Sequence, residues 1–384
     1  MHALILGAGL MGRAIGLDLQ KNTSVKTITL IDECSDCLAT SEAFFTDKTC
    51  IHFHQCDVFN ESKTNPFFEN ADVVISAVPY TYNVSLTKQA IRHGCHFVDL
   101  GGNNTIVTHQ KKLFHQAEKE EVTVIPDSGL APGLVSILTK KLVEEYHHLD
   151  TVKLRVGGLP RDPEPPWNYQ IVFSANGLIN EYTEDALVLD HGIIKTIPSL
   201  TQCEAIEFPE PFGVLEAFST SGGCSTLPYT YKDTIDYLDY KTIRYPGHLD
   251  TIKPLFDIGL ANTEPVFIHD SLVTPRDVLI KLLHDRLPSE GEDVVLLKVI
   301  GEITKNRKKR IVTFEMIDYF DKTTNLSAMM RTTGIPVSIT ADLIASEKIS
   351  SRGVFTPEEI VPSRLFIDEL EKRNIIIKET VETG

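Results

Sequence analysis

No stretch of this 384-residue chain approaches the roughly 18 to 20 uncharged apolar residues that a membrane-crossing helix needs. The apolar amino terminus lacks the basic flank of a signal peptide and is accounted for as a strand, so a cytoplasmic protein with no membrane partner is expected. Basic charge is scarce: 37 lysines and arginines against 53 aspartates and glutamates leave a net charge of −16. Nucleic-acid binding, which needs a basic face, is therefore not expected. The basic run Lys305-Asn-Arg-Lys-Lys309 reads as the solvated tip of a hairpin. The cysteines number seven, an odd count scattered along a long chain, which fits reduced thiols better than a disulfide framework. Cys34, Cys37, Cys50 and Cys56 lack the spacing of a zinc site, so no metal is expected. Metal-binding histidine pairs, a nucleophile elbow, a phosphate loop with its lysine and internal repeats are all missing. Small-molecule chemistry on an ordinary globular chain of more than one domain is what remains.

What is present begins at residue 2. The apolar run Ala3 to Leu6 ends in Gly7-x-Gly9-x-x-Gly12, and Leu10, Ala14, Leu17 and Leu19 then give one buried helical stripe. A glycine turn between a strand and a helix is a dinucleotide fingerprint. Gly7 permits the turn, Gly9 lets the backbone approach a pyrophosphate, Gly12 lets helix and strand pack, and Leu10 and Met11 open the helix whose N–H groups meet the anion. The next strand, Val25 to Ile31, ends at Asp32, where a carboxylate accepts from both ribose hydroxyls and repels a 2′-phosphate. The expected cofactor is NAD. The structural alternative is a relic fold whose glycines serve only the turn.

Strand and helix patterns alternate through residue 128, which predicts a Rossmann doubly wound parallel sheet. Ligands in such sheets lie beyond the carboxyl ends of the strands. That places Asp57 and Val58 after the third strand, Ala77, Val78 and Tyr80 after the fourth, Asp99 and Gly102 after the fifth and Asp127 after the sixth on the cofactor side. Asp57 and Val58 read as adenine contacts or, equally, as a cap and a core valine. Asp99 and Asp127 end strands expected to lie side by side; each is a functional acid or ordinary turn chemistry.

From Thr151 the alternation stops, and the strands expected at Thr151 to Gly157, Tyr169 to Phe173, Leu187 to Leu189, Ile193 to Thr196, Ala205 to Phe208, Thr242 to Tyr245, Asp293 to Thr304 and Arg310 to Phe320 predict a mixed sheet in a second α+β domain. The division expected is a NAD-binding domain over 1–128, completed by a helical tail over 336–384, and a substrate-binding and dimerisation domain over 129–335. The tail has two helix starts, Pro336 and Thr356-Pro357. In the second domain, Arg244 followed at once by a turn suits a bidentate grip on a substrate carboxylate, the alternative being a surface or interdomain ion pair.

The segments Gly7 to Gly12, Ser76-Ala-Val-Pro-Tyr80, Asp99-Leu-Gly-Gly-Asn103, Ile125-Pro-Asp-Ser-Gly-Leu-Ala-Pro-Gly133, Gly157-Gly-Leu-Pro160, Ser221-Gly-Gly223, Thr242-Ile-Arg-Tyr-Pro-Gly-His248 and Arg331-Thr-Thr-Gly334 together resemble the saccharopine dehydrogenase-like family. The resemblance implies NAD(P)-linked oxidation at a carbon bearing an amine, an amino acid substrate held between a Rossmann and an α+β domain, and a homodimer. Saccharopine reductases look like Gly-Leu-Asp-Pro-Gly where this chain has Gly129-Leu-Ala131-Pro-Gly133. The pattern instead fits the branch that takes a hydride from the ε-carbon of L-lysine to NAD. Asp127 or Tyr80 then becomes the expected catalytic group, with Arg244, Asp99 and Gly102 on the substrate. Other readings are a saccharopine- or carboxynorspermidine-type reductase, a non-catalytic NAD-binding protein and a protein that keeps only the fold.

Overall fold

The computed structural model describes residues 1–23, 25–288, 291–305 and 307–383, and the chain divides into two compact units. The first comprises Met1–Glu145, Ser225–Thr230 and Met330–Ile375; the second comprises Tyr146–Cys224, Tyr231–Met329 and Ile376–Gly384.

Strands β1 (His2–Leu6), β2 (Thr27–Asp32), β3 (Ile51–Gln55), β4 (Val73–Ser76), β5 (His96–Asp99) and β6 (Thr123–Ile125) lie in one parallel sheet. Apolar runs such as Ala3 to Leu6 and Val73 to Ile75 are fully buried, because helices cover both faces of a parallel sheet. Helices Leu10–Asn22, Ser35–Phe44, Glu61–Phe68, Asn83–Arg92, Asn104–Lys111 and Phe114–Lys119 make the crossovers. The helix expected at Thr108 to Glu120 starts earlier, because the Asn103 side chain accepts from Thr105 N at 3.0 Å and caps it, and breaks into two near Leu113.

The second unit holds β7 (Leu149–Pro160), β8 (Ala186–Asp190), β9 (Ile193–Ile197), β10 (Thr201–Phe208), β11 (Gly213–Ser219), β12 (Ile235–Arg244), a small hairpin of β13 (Val266–Ile268) and β14 (Ser271–Val273), then β15 (Asp293–Lys305) and β16 (Lys308–Tyr319). Its large sheet runs β10-β11-β12-β7-β15-β16 and ends on β18 (Lys378–Thr383), with β8 paired at β12 and β9 at β8. The sheet is mixed, since β12 and β7 are parallel and β15 and β16 antiparallel. Along β16 buried and less buried residues alternate from Val312 to Asp318, the period of a sheet with one core face. Arg155 and Asp239, both 1% exposed, form a two-point ion pair at 2.9 and 3.0 Å inside this unit.

Tyr169 to Phe173 form no strand. Tyr169, Ile171 and Val172 are buried, but their backbone follows a loop in which Ile171 N donates to Pro288 O, so the apolar alternation reports burial alone. Asn306, within the expected basic hairpin tip, lies outside the described residues.

From Met330 the chain returns to the first unit, and after Ile375 it leaves it. The helix Ala328–Ala345 contains Pro336 in its interior, so the expected start there is replaced by one continuous helix. Val337, Ile339, Ala341 and Leu343 are buried, and that burial offsets the roughly 3 kcal/mol an internal proline costs. Strand β17 (Gly353–Val354) adds to β6, and helices Pro357–Ile360, opened by a Thr356/Glu359 capping box, and Ser363–Lys372 follow. Arg373 donates to both oxygens of Asp18 at 2.9 and 3.0 Å, and both side chains are 3% exposed. Ser338 Oγ donates to the same carboxylate at 2.6 Å.

The units depart from the expected division at 129–145, 225–230 and 330–335, which join the first, and at 376–384, which joins the second. The first extends past residue 128 to Glu145, because helix Leu134–Tyr146 buries Leu134, Val135, Ile137, Leu138 and Leu142. Residues from Ile376 belong to the second unit, because β18 (Lys378–Thr383) pairs with β16. Among the described residues no helix is long and apolar enough to cross a membrane.

Candidate active site

In the first unit the fingerprint sits where the sheet's carboxyl edge meets the helix Leu10–Asn22. Gly12 touches the turn directly: a Cβ there would lie 1.9 Å from Gly7 O, so any side chain would push helix from strand. A Cβ on Gly9 would meet nothing within 4 Å, and Leu10 beside it is 40% exposed. An open cradle at a helix N-terminus bordered by an exposed leucine fits a dinucleotide pyrophosphate, with Met11 in the first helical turn. Asp32 Oδ2 accepts from Ala8 N at 2.7 Å and Oδ1 from Cys34 N at 2.8 Å, which fixes the carboxylate at the end of β2. Asp57 accepts from Phe59 N at 2.9 Å in a turn after β3, whereas Val58 and Val78 pack against the core and Ala77 is half-buried.

Beside Asp32, Cys34 and Cys37 form a disulfide, contrary to the expected reduced thiols; a three-residue spacing across the first turn of the helix Ser35–Phe44 brings the two sulfurs together. Asp32, Cys34 and Cys37 are also one of two groups among the described residues whose donor atoms lie within 4.8 Å of one another; His148, Asp150 and Asp236 are the other.

At the ends of β5 and β6 the structure corrects one expectation. Asp99 is fully buried and accepts from Gly101 N at 2.8 Å, Asp127 N at 3.1 Å and Gln110 Nε2 at 2.6 Å. It does not present a carboxylate to a ligand; it fixes the turn and the backbone of Asp127. Burial pushes its carboxyl up to about 6 against these three hydrogen bonds. Gly101 has φ +75, and a Cβ there would lie 2.0 Å from Asp127 Oδ1. Gly102 lies against the Tyr80 ring, where a Cβ would be 3.2 Å from Tyr80 Cδ1.

Asp127 is 1% exposed and accepts from Ser225 Oγ through Oδ2, with the Gly102 N–H also directed at its carboxylate. Burial pushes its carboxyl up to about 8; the Ser225 and Gly102 hydrogen bonds oppose the rise, and Asp99 and Glu358 add to it. An acid so poised holds or takes a proton near neutral pH. Ser225 lies two residues after the segment Ser221-Gly-Gly223, and nothing in the sequence signals that it would meet a residue 98 positions earlier.

In the second unit Arg244, at the end of β12, is 2% exposed. Its Nε donates to Tyr182 Oη at 2.9 Å and its Nη1 to Ile243 O at 2.9 Å. The Tyr169 and Tyr182 ring centroids lie 4.9 and 5.8 Å from its Cζ. Tyr182 is in turn 3.1 Å from His248 Nε2, and His248 Nδ1 is 3.3 Å from Trp167 O. With Nδ1 donating to the carbonyl, Nε2 accepts from the tyrosine, and the chain Arg244–Tyr182–His248–Trp167 has one consistent sense. Burial and Arg244 hold His248 down at about 3, so the imidazole is neutral. Burial works against the charge on Arg244, but Tyr182, Tyr169 and Glu181 outweigh it and raise its proton affinity. Among the described residues no carboxylate comes within the 4.0 Å of an ion pair with Arg244.

A doubly wound sheet carrying this glycine turn, with an acid closing its second strand, defines a nicotinamide-dinucleotide-binding oxidoreductase. The chain belongs to the saccharopine dehydrogenase family: residues 3–125 match its NADP binding domain and residues 129–376 its C-terminal domain. It is 24% identical to a saccharopine dehydrogenase [NADP(+), L-glutamate-forming] of Pyricularia oryzae over 98% of both chains. Among solved structures, apo saccharopine dehydrogenase (L-Glu forming) from Saccharomyces cerevisiae matches at TM-score 0.79 and 21% identity over 99% of both chains. Homospermidine synthase from Legionella pneumophila in complex with NAD matches at TM-score 0.68 and 14% identity, covering 99% of this chain and 91% of that one.

Proposed function

We propose that the protein is an NAD-linked amino acid dehydrogenase that oxidises the ε-carbon of L-lysine. The carrying observation is Arg244, a buried guanidinium held by neutral groups with no carboxylate at its fork. A buried cation without an anion is costly, and a substrate carboxylate is the partner that relieves the cost. The amine end needs a proton acceptor, since an ammonium of pKa near 10.4 donates no hydride. Asp127, a buried carboxyl raised to about 8, supports that role, and Tyr80 is the reserve. Ala131, in the place where saccharopine reductases resemble one another in having an aspartate, favours lysine over saccharopine.

The cofactor supplies a hydride acceptor, and Gly7, Gly9, Gly12 and Asp32 are the residues that would hold it. The net change converts lysine ammonium, NAD⁺ and water into 2-aminoadipate 6-semialdehyde, NADH, ammonium and one proton; the semialdehyde then cyclises. In its ionised form, which predominates above about pH 8, Asp127 accepts the proton lost from the ε-ammonium before hydride leaves, and water hydrolyses the resulting imine. For the dinucleotide, Asp32 supports NAD, as does the lack of any lysine or arginine between Lys26 and Lys48 to neutralise a 2′-phosphate. The NADP(+) in the relatives' names favours the other cofactor, so a direct comparison decides.

The test is a screen of amino acids and polyamines for NAD⁺ and NADP⁺ reduction, with Asp32→Ala alongside. The expected result is turnover of L-lysine with NAD⁺ and a mutant whose preference for NAD⁺ collapses. Preference for NADP⁺ in the wild type overturns the cofactor assignment. Activity only with a semialdehyde, L-glutamate and NADPH together assigns a saccharopine-type reductase instead. The homodimer implied by the family resemblance is checked by sedimentation equilibrium.

A further inference from the structure

We propose that Glu181 binds the α-ammonium of the substrate beside Arg244, making the second unit a recognition site for the zwitterionic head of an α-amino acid. This rests on the reading of Arg244 as a carboxylate grip and extends it to a second charge.

Glu181 lies in the last turn of the helix Ala175–Thr183 and is half-buried. A carboxylate there faces the negative end of the helix dipole, an unfavourable place for an anion. Its backbone carbonyl accepts from Ser221 N at 3.0 Å, but its carboxylate has no hydrogen bond and no ion pair among the described residues. The groups that act on it come from three directions: Arg244 and Tyr240 on β12, Tyr169 before the helix and Tyr182 on the helix itself. Burial pushes its carboxyl up to about 7, and only Arg244 draws it down. The unit thus holds an anion and a cation that feel each other yet stand beyond the 4.0 Å of direct pairing.

The arginine's remaining hydrogens fit this gap. With Nε spent on Tyr182 and one Nη1 hydrogen on Ile243 O, one N–H on each of Nη1 and Nη2 stays parallel, the pattern that grips a carboxylate at two points. An amino acid head places its ammonium within about 3 Å of its own carboxylate oxygens, so one ligand presents both charges together, the carboxylate to Arg244 and the ammonium to Glu181. Each buried charge then finds its opposite.

The test is calorimetric binding to the full chain of L-lysine and of 6-aminohexanoate, which lacks only the α-amino group. Wild type should bind L-lysine at least about tenfold more tightly. Glu181→Gln, near-isosteric, should bring the two ligands within about twofold of each other by weakening L-lysine, with 6-aminohexanoate bound no more weakly than by wild type. A retained preference in Glu181→Gln overturns the proposal, as does equal weakening of both ligands. Should Glu181→Gln fail to fold, Glu181→Asp carries the test, since a carboxylate shortened by one methylene should lose most of the preference, and an unaltered preference overturns the proposal. Failure of the lysine reading shows separately, as absence of lysine-dependent NAD⁺ reduction. In that case L-glutamate and glutarate replace the ligand pair: a preference abolished by Glu181→Gln supports the site, and no preference in wild type for either pair overturns it.

Discussion

Asp127 carries its proton to an unusual pH, and this has consequences for stability as well as chemistry. Its carboxyl rises from 3.8 to about 8 on folding. Between those values the folded chain holds a proton that the unfolded chain has released, so this residue's contribution to stability falls as pH rises through the window and levels off above 8. Asp127→Asn removes the cost. Its melting temperature relative to wild type should therefore be more favourable at about pH 9 than at about pH 5, and a pH-independent difference would show that the carboxyl does not titrate there. In activity, the same variant should lose about a hundredfold in kcat and one limb of the pH profile if the acid is the base; a rise confined to KM marks an anchor instead. Arg244→Ala should cost about 2 to 4 kcal/mol in kcat/KM, and Arg244→Lys should rescue poorly, since a point charge cannot replace the fork. Steady-state kinetics within a few-fold of wild type would make Arg244 structural. At this scale the sequence disclosed the glycines and Asp32, because their spacing is local. It did not disclose Ser225 on Asp127, which depends on a contact across 98 positions, or Glu181, which looks like any other helical glutamate.

The elements show the same division between local and distant causes. Parallel strands were legible as unbroken apolar runs, and the β15–β16 pair as two alternating stretches around a polar turn. Where tertiary packing overrode local preference, the pattern misled: Pro336 sits inside a helix because its neighbours are buried, and Tyr169 to Phe173 are buried without entering a ladder. Strand β18 was illegible because its residues are exposed and its order comes from pairing with β16. The ion pair between Asp18 on the helix Leu10–Asn22 and Arg373 after the helix Ser363–Lys372 is an element-level joint whose energy can be tested. Arg373→Met leaves Asp18 buried with the Asn22 amide and the Ser338 hydroxyl but no counter-charge, and an uncompensated buried charge costs about 3 to 5 kcal/mol. Urea denaturation should show a loss of that size, and a shift below about 1 kcal/mol would mean the carboxylate finds water.

Over the whole molecule the chain passes between the two units after Glu145, Cys224, Thr230, Met329 and Ile375. Neither unit is a continuous piece of sequence. A fragment ending at Glu145 keeps the crossover helices but lacks the later helices of the first unit, which pack against the helix Leu10–Asn22, and the partner of Asp18, and should show no cooperative thermal transition when expressed alone. A sharp transition in such a fragment would mean that the sheet and its own crossovers suffice. The Asp18–Arg373 pair spans 355 positions. On a ribosome adding about 5 to 20 residues per second, the first helix therefore waits tens of seconds for its counter-ion. During that interval an unpaired acid and an uncovered sheet face are open to chaperones and proteases. A premature stop shortly before residue 373 would accordingly harm the part of the protein made first.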